Sequence, residues 1–169
     1  GLGDVYKRQL FYTMNLTQLN QLEKCTIYPF GIAGSTGTVD LRLKSLTGGE
    51  GSIVPGFRPE EEYNRRIKVP VIGKSDLPEG LLKKQIGVLK VDVEGGELEV
   101  FVAMKGLIEK NMPLIISELL PVYDVGTERG SFRKERQDAL IDMLATLGYG
   151  IILLHPDGSR ELLEEIEVH

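Results

Sequence analysis

Val88-Leu89-Lys90-Val91-Asp92-Val93-Glu94-Gly95-Gly96-Glu97-Leu98-Glu99-Val100 brings a buried strand, paired carboxylates, a glycine turn and a helix start into one continuous run. Val88, Leu89, Val91 and Val93 form a short, nearly all-apolar segment, the composition of a strand covered on both faces in a parallel sheet. Asp92 and Glu94 interrupt it at its carboxyl end, and the two-residue side-chain period points them to the same side if the strand stays regular that far. Gly95 and Gly96 let the backbone turn sharply, and Glu97 sets a carboxylate at the positive end of the helix that follows. In open α/β sheets ligands bind beyond the carboxyl ends of the strands, so the run reads as the floor of an active site.

Outward from this run, Glu97 to Lys110 is predicted as a helix whose apolar positions include Leu98, Phe101, Val102, Met104, Leu107 and Ile108. Leu114 to Leu119 is the next strand, with Pro113 at its start and Glu118 near its end. Tyr123 to Arg133 reads as a loop in which Tyr123 and Arg133 are solvated, contact with a substrate being the functional alternative, and Lys134 to Leu147 as an amphipathic helix terminated by Gly148. Ile151 to Leu154 is an apolar strand, Pro156-Asp157-Gly158 a turn, and the tail returns as an edge strand.

Toward the amino terminus, Leu10 to Leu22 is a helix candidate with Leu16, Leu19 and Leu22 at three-residue spacing. Thr26 to Ile32 reads as a strand, forming a hairpin with the alternating strand of Val39, Leu41 and Leu43. Ser45 to Asn64, with its glycines, prolines and the triplet Glu60-Glu61-Glu62, reads as a mobile, solvated surface loop, a lid being the functional alternative. Ile67 to Ile72 is a further strand, and Pro78 to Lys84 a short helix capped by Ser75 or Asp76. Alternation of strands and helices from Thr26 onward predicts an α/β fold with a largely parallel sheet.

The 169 residues suffice for one core, and 41% apolar content is ordinary for a globular domain. A formal net charge of -5 argues against tracking a nucleic-acid backbone, which needs clustered cations, and the Arg65-Arg66 pair is too small to reverse this. Cys25 is the single cysteine, which excludes an intrachain disulfide and a thiolate metal cluster. His155 and His169 have no second ligand at useful spacing, so no metal role is assigned to them. No apolar run is long enough to span a bilayer and no signal-peptide core is visible, so the expected location is cytoplasmic, with no membrane partner.

Leu89 to Val100, with Gly106-Leu107-Ile108-Glu109-Lys110 and Pro113-Leu114-Ile115-Ile116-Ser117-Glu118 after it, resembles the FkbM-type family of S-adenosylmethionine-dependent methyltransferases. The resemblance extends back to Thr26-Ile27-Tyr28-Pro29-Phe30-Gly31-Ile32-Ala33 and Gly37-Thr38-Val39-Asp40-Leu41, and forward to Leu147-Gly148-Tyr149. It implies a Rossmann-like class I methyltransferase fold, S-adenosyl-L-methionine as cofactor, and methylation of a hydroxyl on a sugar, polyketide or other small molecule. Methyl transfer to oxygen is an in-line displacement in which the protein supplies alignment, a dry site and sometimes a base. On that reading Asp92 stands first, near the methionyl end of the cofactor and the incoming hydroxyl. Glu94 stands second, as base or substrate acceptor, and Glu118 third. The alternative is that Asp92 and Glu94 only cap the helix near Gly96. By position, Phe30, Gly31, Ile32 and Ala33 would hold the adenine edge, and Asp92 and Val93 are also assigned to the cofactor.

One departure from the family pattern matters. A complete member would begin with a strand, a glycine-rich turn and a second strand ending in an acidic residue, and those strands lie in the middle of its sheet. Residues 1–9 resemble a translated sequencing-adaptor remnant and are read as a non-native leader, which leaves residues 10–169 as a partial methyltransferase domain, the carboxyl-terminal part of the fold. The expectations are a sheet interrupted, or abnormally paired, along the edge of Val88 to Val93, weak or no cofactor binding, and an inactive fragment. Two competing readings are a nucleotide-sugar glycosyltransferase-like enzyme holding a divalent cation with Asp92 and Glu94, and a non-catalytic α/β binding module.

Overall fold

The computed structural model describes residues 4–45, 51–59, 62–155 and 157–163. Its elements in chain order are α1 (Asp4–Leu19), β1 (Gly31–Ile32), β2 (Gly37–Leu43), β3 (Gly51–Ser52), β4 (Arg65–Ile72), α2 (Glu79–Leu82), β5 (Val88–Val91), α3 (Glu97–Asn111), β6 (Leu114–Ser117), α4 (Glu128–Thr146), β7 (Ile151–Leu154) and β8 (Arg160–Leu163).

The strands form a four-stranded sheet in the order β1-β4-β2-β3, a β5-β6 pair and a β7-β8 pair. β1 runs parallel to β4 and β5 parallel to β6, whereas β2 is antiparallel to both β4 and β3, and β7 to β8. The fold is therefore mixed α/β, and the expected largely parallel sheet is corrected. So is the hairpin between Thr26–Ile32 and β2. Only Gly31–Ile32 is extended, and β2 pairs instead with β4, from Gly37↔Val71 to Leu43↔Arg65. β4 earns its central place by alternation: Ile67, Val69 and Val71 are buried while Arg66, Lys68 and Pro70 are exposed. Among the described residues β5 pairs with β6 alone.

α3 is the hub. Phe101, Met104, Leu107 and Ile108 are buried in one cluster with Val91 of β5 and Leu140 of α4, and Ile32, Ile72, Leu89 and Ile115 pack against it. Glu97 and Glu99 in its first turn and Lys110 in its last suit the helix dipole. Met112 in the left-handed conformation (φ 46°) closes it, its N–H donating to the Ile108 carbonyl at 2.8 Å, and Pro113 cannot continue it. The β5-β6 pair covers this hub with one face only. Val88 is 58% and Leu114 64% exposed on the other, contrary to the expectation of a strand buried on both faces.

Other differences are local. α1 spans Asp4–Leu19 rather than Leu10–Leu22, and its expected apolar stripe of Leu16, Leu19 and Leu22 is exposed. Residues 51–59 are not a solvated loop: Ser52, Val54 and Phe57 are buried. Residues 46–50, 60 and 61 of that expected loop, with Pro156 and His169, lie outside the described residues. α2 has Pro78 before it and no side-chain cap; Asp76 instead accepts hydrogen bonds from Thr36 and Ser75. The strand readings at 88–93 and 114–119 shorten to β5 and β6, while the tail does return as β8, Ile151 opposite Leu163.

α4 begins two turns earlier than its apolar pattern suggests. Thr127 caps it, its hydroxyl accepting the Gly130 N–H at 3.0 Å. Gly130 is required there, because a Cβ would overlap the Asp124 carbonyl.

Phe101 is 0% exposed. Phe101→Ala should therefore lower unfolding free energy by about 3–5 kcal/mol in a denaturant titration. Thr127→Ala should remove the α4 cap and cost about 1 kcal/mol in the same measurement.

Candidate functional site

A cleft of about 860 Å³ lies where the sheet is broken, between the four-stranded sheet and the carboxyl end of β5. Phe30, Gly31 and Ile32 line one side, with the Tyr28 ring 5.4 Å from that of Phe30. Asp92, Val93 and Gly96 line the other, and Val100 and Met104 of α3 contribute apolar surface. Five of the residues expected from sequence thus meet in one cavity although about sixty residues of chain, including β2, β3 and β4, separate the two groups. Ala33 is placed elsewhere. It is buried among Leu43, Ile67, Val69 and Val71, and its N–H donates to the Ile72 carbonyl at 2.9 Å.

The two carboxylates that the sequence placed together diverge. β5 ends at Val91, so the regular alternation needed to align Asp92 with Glu94 is lost. Asp92 is exposed, lines the cleft and accepts a hydrogen bond from Lys90 Nζ at 2.6 Å. Glu94 adopts the left-handed conformation (φ 50°) and is followed by Gly95 in the same region (φ 95°). For an L residue that conformation costs about 1 kcal/mol, so something must hold it. Glu94 turns toward residues 51–59, where its Oε2 lies 2.5 Å from Arg58 Nη2. Neither carboxylate caps α3: the residue before it, Gly96, makes no side-chain cap bond, and the Gly95 N–H donates to Glu97 Oε1 at 3.1 Å. Glu118 is exposed just beyond β6, its N–H reaching the Val91 carbonyl at 3.4 Å, and it does not line the cleft.

Arginines whose partners the sequence does not indicate surround this turn. Arg133, expected to be solvated, donates from Nε and Nη2 to the Phe57 carbonyl at 2.9 and 2.7 Å and lies 4.7 Å from the centre of the Phe57 ring. Burial, followed by repulsion from Arg129 and Arg58, lowers its pKa, though a guanidinium stays charged at neutral pH. Arg136 donates to the Gly95 carbonyl at 2.9 Å and to Glu99 Oε2 at 2.5 Å. Their i, i+3 spacing would have marked one helix face had α4 been started at Thr127, but nothing in the sequence ties Arg133 to a residue 76 positions away.

Asp92 and Glu94 each engage a different cation, and among the described residues no group of His, Cys, Asp and Glu could hold a metal ion. The divalent-cation reading therefore finds no support. Among the described residues no helix is long and apolar enough to cross a membrane.

Comparison with curated proteins and with solved structures gives no match. A family model described as the methyltransferase FkbM domain matches residues 5–151, which includes β1, the acidic turn and all of α3 and α4. The chain belongs to the FkbM methyltransferase family.

Proposed function

We propose that the cleft is the S-adenosyl-L-methionine side of a methyltransferase that acts on a hydroxyl of a sugar, polyketide or other small molecule. The observation that carries this reading is the meeting of Phe30–Ile32 with Asp92–Val93 in one cavity. The residues fit the cofactor in kind. An apolar strand end with accessible backbone suits a purine edge, and an unburied carboxylate suits a cationic amino group. A cavity of about 860 Å³ is large enough for such a ligand.

The cofactor supplies the electrophilic methyl group, and the protein's part is to align the acceptor and keep water out. Asp92 is the residue best placed to accept a hydrogen bond from ligand. Glu94 and Glu118 both lie outside the cleft lining; Glu118 is proposed for the acceptor side only in so far as a substrate reaches it, while the Glu94 carboxylate is engaged by Arg58. Val100, Met104 and Ile53 furnish apolar walls.

β1 and β5 both border the cleft, and among the described residues each pairs with a single neighbour. Their remaining hydrogen-bonding edges are suited to further parallel strands, and we propose that such strands complete the pocket. This 169-residue chain alone should then bind cofactor weakly and be inactive.

Calorimetric titration of the chain with S-adenosyl-L-methionine should give affinity weaker than micromolar, and Asp92→Asn should reduce what remains by about tenfold, the worth of one charge-assisted hydrogen bond. Micromolar binding would refute the incomplete-pocket reading. Equal affinity in Asp92→Asn would remove Asp92 from the site.

A further inference from the structure

The Glu94–Gly95 turn is held at three of its polar groups. Its side-chain carboxylate meets Arg58 at 2.5 Å, the Gly95 N–H donates to Glu97 at 3.1 Å, and the Gly95 carbonyl accepts from Arg136 at 2.9 Å. The Arg58 and Glu94 side chains are only 18% and 22% exposed, so water screens their attraction less than it would a surface pair. Above the turn sits the Phe57 ring, occupying the space that any Cβ on residue 95 would need. Phe57 is itself fixed by the two hydrogen bonds and ring contact of Arg133.

The residues that impose these restraints, Phe57 and Arg58, Glu97 of α3 and Arg136 of α4, do not line the cleft. Asp92 and Val93, directly before the turn, face into it. A backbone that reverses through two left-handed residues has one well-defined direction for the residues preceding it, and relaxing either φ would swing them. Ile53, on the same segment as Phe57 and Arg58, lines the cleft and lies 3.8 Å from where a Cβ on Gly96 would stand. One segment therefore touches the cleft and grips the turn together.

We propose that Arg58 and Arg136 are positioning residues that lock the Glu94–Gly95 turn and so set the direction in which Asp92 faces the cleft, with Glu94 acting as their anchor rather than as a proton acceptor. The importance of this lock for catalysis rests on the methyltransferase reading; the lock itself does not.

The test uses backbone amide resonances of the whole chain beside its thermal unfolding. Arg58 lies 36 residues from Glu94 and Arg136 lies 41 from Gly95, so neither can disturb Asp92 through sequence proximity. Arg58→Met and Arg136→Met should displace the Asp92 and Val93 resonances, and the exchanged pair Arg58→Glu with Glu94→Arg should restore them. Ile108→Ala, which loosens the core in the last turn of α3, at the opposite end of that helix from the turn, should lower the unfolding midpoint and leave those resonances in place. Unmoved Asp92 and Val93 signals in both methionine variants would overturn the proposal, as would equal displacement in Ile108→Ala. Should Arg58→Met fail to fold, Arg58→Lys carries the same comparison, since it keeps the charge and loses the planar fork. Absence of cofactor binding in the titration above bears on the methyltransferase reading and leaves these resonances to judge the lock.

Discussion

Two adjacent residues in the left-handed conformation, Glu94 and Gly95, are the constraint on which the arrangement of this protein turns. Without that reversal β5 could not feed directly into α3, and α3 carries the buried cluster that joins β5, β6 and α4. Glycine satisfies half of the requirement at no steric cost. The other half falls on a glutamate, and the ion pair with Arg58 compensates for a backbone that an L residue otherwise avoids. Local strain, a long-range ion pair and the closure of residues 51–59 over the turn are thus one energetic unit.

The same unit explains why so much of the site escaped a reading of the sequence. The strand, the glycines and the following helix were legible because each is coded by neighbours: β-branched residues, small residues, a 3.6-residue apolar period. The direction of Glu94 was not, since it depends on where β5 stops, and Val93 looks as strand-like as Val91. The contacts of Arg133 and Arg136 were not legible, because their partners Phe57 and Gly95 lie 76 and 41 positions away. The first two turns of α4 carry Arg129, Phe132 and Arg133 but little that reads as an apolar stripe, so the capping role of the Thr127 hydroxyl has no local signal. Pairing of β2 with β4 rather than β1 is likewise nonlocal, the partners of Gly37 and Leu43 being Val71 and Arg65.

Residues 51–59 show the cost of judging a segment by composition. Glycine and proline mark changes of direction, which is true here, with Gly56 at φ 75°. They do not mark solvation. Ser52 is buried in β3 beside β2, and Phe57 is buried between the acidic turn and α4, where Arg133 satisfies the Phe57 carbonyl that burial would otherwise leave costly.

The broken sheet then presents a question of rigidity, because a cleft between two sheets needs its walls in register for a ligand to span them. Strand pairing does not supply that register here, since β5 and β1 share no ladder among the described residues. α3 supplies it. Ile32 of β1 and Ile72 of β4 pack on the same cluster as Val91, Val100 and Phe101, so both walls are seated on one helix. Val100 and Met104 of that helix continue into the cleft as its base. Because protein interiors are close-packed, the two walls cannot shift independently without opening space around Phe101. The cleft between Phe30–Ile32 and Asp92–Val93 therefore owes its shape to helix packing beneath it and to the arginine-held turn at its rim.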